Sequence, residues 1–250
     1  TANTLVVLIQ GSSRNGTGST ECSAFSNADL TTLTERTDNT HTAGLGGGHC
    51  MATGEKATAG AYADTTVTLA NTTFKGAMSI ALKPLAPTYE QSAYRLFNNA
   101  NSTDVGTALA AQDTAATLGS TGAVFRLRTL LHIGIDQLPL SGETFKLQFA
   151  QQSGTCDTGF VGETYADVTA APVIAYNDNA TPADGASLTA NANDPTHGAD
   201  TIVNQTYEEL NNFTNSVAAI PSGQDGKWDF SLKDNGATAS TAYCLRAVKS

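Results

Sequence analysis

The sequence predicts an all-β protein built from two antiparallel β-sandwiches of the jelly-roll or immunoglobulin-like kind. Three observations predict it. Threonine occurs 37 times in 250 residues, beside 23 glycines and 17 asparagines, so β-branched strand formers alternate with turn formers. Apolar and polar residues alternate with period two in several short segments, and no segment sustains a 3.6-residue period over three turns. Turn signals separate those segments at the spacing of sandwich strands.

The first element is "TLVVLIQ", residues 4–10. Leu5, Val7 and Ile9 fall on one face, Val6 and Leu8 on the other. Both faces are apolar, as in a strand covered on both sides. Further strands are expected near 31–36, 50–56 and 65–70. "GLGGGH", 44–49, reads as a flexible loop before Cys50. "FKGAMSIALK", 74–83, alternates Phe74, Met78, Ile80 and Leu82 with Lys75, Ala77, Ser79, Ala81 and Lys83, as in a half-buried strand. The two prolines of "KPLAPT", 83–88, set a boundary between an N-terminal domain, 1–85, and a larger C-terminal domain, 86–250.

The second domain restarts with "YEQSAYRLF". In "VFRLRTLLHIGI", 124–135, Phe125, Leu127, Leu131 and Ile133 share one face, and Arg126, Arg128 and His132 form the polar one. "TFKLQFAQ", 144–151, alternates through Phe145, Leu147 and Phe149, and "LPLSGE" between the two suits a hairpin turn. "TYEELNNF", 206–213, is expected to form one short helix. Trp228, Phe230 and Leu232 share a core face, "KDNGA" is a turn, and "TAYCLRAV" closes the chain as a last strand.

Net charge is −10 and the pI about 4.6, so the basic footprint of a nucleic-acid binder is absent. No apolar run approaches the ~20 residues of a membrane span. The four cysteines fall two and two across the boundary and show no CxxC spacing. They are read as two disulfides, Cys22–Cys50 and Cys156–Cys244, in an oxidising, extracellular setting. Six N-x-S/T sequons, at Asn15, Asn71, Asn101, Asn179, Asn204 and Asn212, are candidate glycosylation sites. No signal-like segment opens the sequence, so a mature or excised chain is expected.

Catalytic constellations are missing from the sequence. There is no G-x-S-x-G and no H-E-x-x-H. His49 and Cys50 are neighbours, which a strand turns to opposite faces. His132 reads as a solvated side chain among arginines. Gly44, Gly46, Gly47 and Gly48 are not followed by the GK[ST] of a phosphate loop. Glu208 and Glu209 form the one adjacent acidic pair, and neighbours diverge on a strand as on a helix, so a glycosidase pair is not expected. Tyr165, Tyr176 and Tyr207 are left as aromatic platforms for a sugar. No enzyme and no required cofactor follow. Calcium is the candidate ion, because it takes clustered oxygens. Asn177, Asp178, Asn179 and Asp184 lie in one turn-rich loop, and Asn193, Asp194 and Asp200 in the next. No Lys or Arg occurs from Leu147 to Gly226, against ten carboxylates.

Residues 1–83, through "NTLVVLIQGS", "LTERTDN", "TTVTLAN" and "KGAMSIALKP", resemble a β-sandwich module of large secreted bacterial proteins. Residues 88–250, through "YEQSAYRLFNNANST", "AVFRLRTLLHIG", "FKLQFAQQSGTCD", "IAYNDNATPADG", "NQTYEELNNFTNS" and "KWDFSLKDNGATASTAYCLRAV", resemble modules of giant surface proteins from uncultivated small-genome bacteria. The resemblance implies a cell-surface, non-enzymatic role. It also implies one more strand before "LVV". The first sandwich is then incomplete, and a strand must come from upstream or from a neighbouring subunit; alternatively "TANTLVVLIQ" is itself the donor strand, or it is a central strand of a complete sandwich. The expected function is an extracellular structural subunit of a filament or pilus-like appendage. It polymerises with copies of itself by strand exchange through Leu5, Val6, Val7, Leu8 and Ile9. Burying five such side chains is worth on the order of 10 kcal/mol before ordering costs. The alternative expectation is an adhesin or lectin-like binding module with glycan partners.

Overall fold

The computed structural model describes residues 3–13, 21–44, 46–70, 75–156, 162–210 and 212–250. Every regular element among them is a β-strand. The chain divides into two compact units, Thr1–Leu85 and Ala86–Ser250.

Unit 1 contains β1 (Thr4–Ser12), β2 (Cys22–Ser26), β3 (Thr31–His41), β4 (Gly47–Lys56), β5 (Thr66–Leu69) and β6 (Lys75–Leu82). Four strands form one sheet in the order β3-β4-β1-β6, antiparallel throughout, and β2 pairs with β5. Alternation along β1 sends Val6 and Leu8 into a small core with Leu30 and Ala52, against which Phe25 and Leu33 pack. The Cys22–Cys50 disulfide ties β2 to β4. Its loop of separation 28 removes about 3–4 kcal/mol of chain entropy from the unfolded state. Gly47, Gly48 and His49, expected in a flexible loop, begin β4 instead. Gly48 and His49 pair with both β1 and β3, and Gly47 with β3, and a backbone held in this way has no freedom left to loop.

Unit 2 contains β7 (Thr88–Asn98), β8 (Val124–Gly134), β9 (Thr144–Gln151), β10 (Ala166–Asp167), β11 (Ile174–Tyr176), β12 (Ile202–Glu208), β13 (Phe213–Thr214), β14 (Gln224–Asp234) and β15 (Tyr243–Lys249). One sheet runs β11-β14-β8-β7, with β12 also on β14; the other centres on β9, flanked by β15, β10 and β13. Phe125, Leu127, Leu131, Ile133, Trp228, Phe230 and Leu232 from the first sheet pack with Phe145, Leu147 and Phe149 from the second. This is the two-layer core of a β-sandwich. Gly226 faces Leu131 across the ladder, where a β-carbon would lie 2.6 Å from the Trp228 ring. Only glycine leaves the indole its place.

Two expectations are corrected. "LPLSGE" is not a hairpin turn: β8 and β9 belong to different sheets, and the connection crosses the sandwich, with Leu138 buried and bridged to Ile220. The described residues of 206–213 form no helix. Thr206, Tyr207 and Glu208 end β12, which runs parallel to β14 from Ile202 opposite Asp225 to Glu208 opposite Phe230, and Phe213 begins β13. Pairing with a long central strand outweighs the weak helical preference of so short a segment.

Candidate functional site

The sheet of unit 1 ends differently at its two edges. The β3 edge is polar, "TTLTERTDNTH", and two register shifts break its ladder with β4. Charge and bulges are how proteins blunt an edge against further pairing. β6 has no bulge, and its one charge, Lys75, stands at its first position. Its register on β1 is unbroken from Leu82 opposite Leu5 to Lys75 opposite Ser12. No strand among the described residues pairs with its other edge.

That edge is also apolar on one face. Opposed residues of an antiparallel pair project to the same side, so Leu5, Val7 and Ile9 lie beside Leu82, Ile80 and Met78. Met78 is 58%, Leu82 51%, Leu5 44% and Ile80 38% exposed. The expectation that β1 is covered on both faces is therefore corrected: Val6 and Leu8 are buried, while the opposite face is open. The free edge is also not that of Leu5, Val6, Val7, Leu8 and Ile9. β1 has β4 on one side and β6 on the other, so all its ladder positions are filled within its own chain.

In unit 2 the polar face of β8 and β14 is covered by chain. Arg126, Arg128 and Lys227 are buried with Asp229. Arg126 Nε and Nη2 donate to the two oxygens of Asp229 at 2.8 Å each, and Arg128 Nε donates to Oδ2 at 2.8 Å. Arg128 Nη1 and Lys227 Nζ hold the two oxygens of Asp194 in short ion pairs. Arg126 Nη1 reaches the Ala100 carbonyl at 2.9 Å, and Arg128 Nη2 that of Thr103 at 3.0 Å. The Arg126 guanidinium lies 4.4 Å over the Tyr207 ring. Burial pulls the Lys227 ammonium below its ordinary range, with Asp194 opposing. Buried charges survive only when paired and hydrogen-bonded, and these are. The lattice pins the segments around 100–104 and 191–194 onto the sheet.

This lattice decides the fate of the calcium residues. Asp194 is consumed by Arg128 and Lys227. Asn179 is buried and bonded through its side chain to Asn99, Asn177, Tyr207 and Ser231. Asp184 accepts the Glu209 and Leu210 amides at 2.8 and 3.2 Å. Asn177 donates to Ser231 and Asn179, and Asp178 is exposed. The six do not converge on one point. Of them, Asp200 alone meets other metal-ligating groups: His132, His197 and Asp225, all four donor atoms lying within 4.8 Å of one another. Three of these four escaped the sequence reading. Their partnership spans 94 positions, and period-two alternation reports only that His132 and Asp225 sit on a polar face.

The remaining candidates sort by burial. The Asn179 side chain is engaged, so the folded chain offers it no glycan. Asn101 and Asn212 are exposed and Asn204 half-buried, while Asn15 and Asn71 lie outside the described residues. Tyr207 and Tyr176 are buried, and Arg246 stacks 3.8 Å over Tyr165, so none is an open sugar platform. Glu208 and Glu209 take different partners: Thr206 Oγ1 donates to Glu208, and Tyr207 Oη donates to Glu209 at 2.6 Å. Burial pushes the Glu208 carboxyl up to about 8.

Comparison with family models, with curated proteins and with solved structures finds no match to this chain. No helix of the described residues is long and apolar enough to cross a membrane. The two disulfides fit a non-cytoplasmic protein.

Proposed function

We propose that the chain is an extracellular, non-enzymatic structural module that joins a surface assembly by accepting a strand from a neighbouring copy on the β6 edge. The observation that carries this reading is β6 itself. It combines an exposed apolar face of Met78, Ile80 and Leu82, continued by Leu5 of β1, with a row of backbone donors and acceptors that no described strand pairs with. An added strand gains main-chain hydrogen bonds from the edge and side-chain burial from the face, the two parts of β-augmentation. The small core of unit 1 supports it further, since among the described residues its packed cluster holds only Val6, Leu8, Leu30 and Ala52, beside the Cys22–Cys50 disulfide. The bond network around Glu208 and Glu209 supports the non-enzymatic part, because each carboxylate is committed to its own neighbours.

The test is assembly of the full chain beside Ile80→Lys. Ordered multimers from the parent and monomers from the variant support strand acceptance at β6. Equal assembly by both, or monomers from both at high concentration, contradicts it.

A further inference from the structure

We propose that His132, His197, Asp200 and Asp225 bind one divalent transition-metal ion of the zinc class, which clips the segment before β12 onto the sheet. The four residues arrive as two pairs. His132 on β8 and Asp225 on β14 stand directly opposite in the antiparallel ladder. His197 and Asp200 close one turn, with the Asp200 amide donating to the His197 carbonyl at 3.0 Å. The turn sits over the ladder pair, so that two strands and one loop each contribute to a single point.

The spacing fits a small tetrahedral ion. Bonds of about 2.0–2.1 Å in a tetrahedron give ligand-to-ligand edges of about 3.3 Å. Asp200 Oδ2 lies 3.0 Å from His132 Nδ1 and 3.1 Å from His197 Nδ1. Asp225 Oδ2 lies 3.2 Å from His197 Nδ1 and 3.8 Å from His132 Nδ1. Two imidazole nitrogens select zinc-class ions over calcium, which asks for oxygens throughout.

Two further observations point to a ligand. His132 Nδ1 is buried and makes no hydrogen bond with the described residues, although a carboxylate oxygen is near. A ring nitrogen held close to oxygens yet aligned with none of them is aimed at the space between. Asp225 is fully buried, and its ion-pair neighbours among the described residues are the two histidines, with no Lys or Arg. Ser92 Oγ donates to its Oδ1 at 2.5 Å, which fixes the carboxylate with Oδ2 turned toward His197 Nδ1, 3.2 Å away. A divalent cation neutralises both aspartates at once. With four protein ligands the site is closed, as structural rather than catalytic zinc sites are.

The experiment uses the full chain without an affinity tag, stripped with EDTA and titrated with zinc chloride. Bound metal is counted by mass spectrometry after dialysis, and cobalt(II) absorption reports the ligand geometry. The expected result is one zinc per chain, an intense tetrahedral cobalt spectrum and a raised unfolding midpoint. His197→Gln and Asp225→Asn should each weaken binding at least about a hundredfold. His197 is 40% exposed on a loop, so its loss leaves the fold intact, which Trp228 fluorescence checks. His41→Gln with His49→Gln, in unit 1, should leave binding unchanged. Substoichiometric zinc, equal binding by His197→Gln, or displacement of zinc by equimolar calcium overturns the proposal.

Discussion

Replacing Asp229 by Asn removes the charge that holds Arg126 and Arg128 side by side. Three charge-assisted bonds of 2.8 Å end on this carboxylate, and both arginine side chains and Asp229 itself have no exposed surface. Asn keeps the shape and one acceptor, but presents an NH2 group where an arginine N–H arrives. Among the described residues Arg126 then loses its one ion pair, and Arg128 keeps only that with Asp194. Breaking a buried ion pair by removing one partner costs about 3–5 kcal/mol. For a unit of this size that lowers Tm by about 10 °C. Trp228, the only tryptophan, is fully buried in the same sandwich, so its fluorescence in a urea titration reports unit 2. A loss below about 1 kcal/mol at an unchanged denaturant slope refutes the claim that this lattice holds the outer layer to the sheet.

Other substitutions test other parts of the account. Glu208 in the folded chain keeps its proton up to about pH 8, while an ordinary glutamate near 4.5 releases it. The folded form binds the extra proton in that window, so stability falls as pH rises across it, at up to about 1.4 kcal/mol per pH unit. Glu208→Gln should flatten this fall, read as the difference in urea midpoint between about pH 5 and pH 8; an unchanged difference contradicts it. Gly226→Ala should destabilise unit 2 by about 1–3 kcal/mol, since its β-carbon must displace the Trp228 ring. Unchanged fluorescence and midpoint for that variant would show that the core has room the structure denies it.

Much of the sandwich is legible in the alternation. Phe125, Leu127, Leu131 and Ile133 face the core because a strand sends every second residue to one side. The disulfides were legible from a small count of cysteines divided evenly by a proline-marked boundary. What covers the other face of a strand was not legible. Arg126 meets Asp229 across 103 positions and Arg128 meets Asp194 across 66, so a face that reads as solvent is in fact roofed. The neighbours of His132, Asp200 in a loop and Asp225 on a strand, lie far along the chain and are hidden from the alternation for the same reason. The open face of β1 failed in the opposite direction: Leu5 is as apolar as Leu8, and only the folded chain shows that Leu8 is buried while the described residues leave Leu5 44% exposed.

The central claim is that β6 accepts a strand from another copy, and negative-stain electron microscopy with sedimentation velocity on the full chain tests it most directly. Concentration-dependent ordered assemblies are expected, and they disappear when Met78 and Ile80 are both changed to lysine, with the far-ultraviolet circular dichroism of the strands and the Cys22–Cys50 disulfide of unit 1 unchanged. A parent chain that stays monomeric at high concentration, or a double variant that assembles as well as the parent, would contradict it.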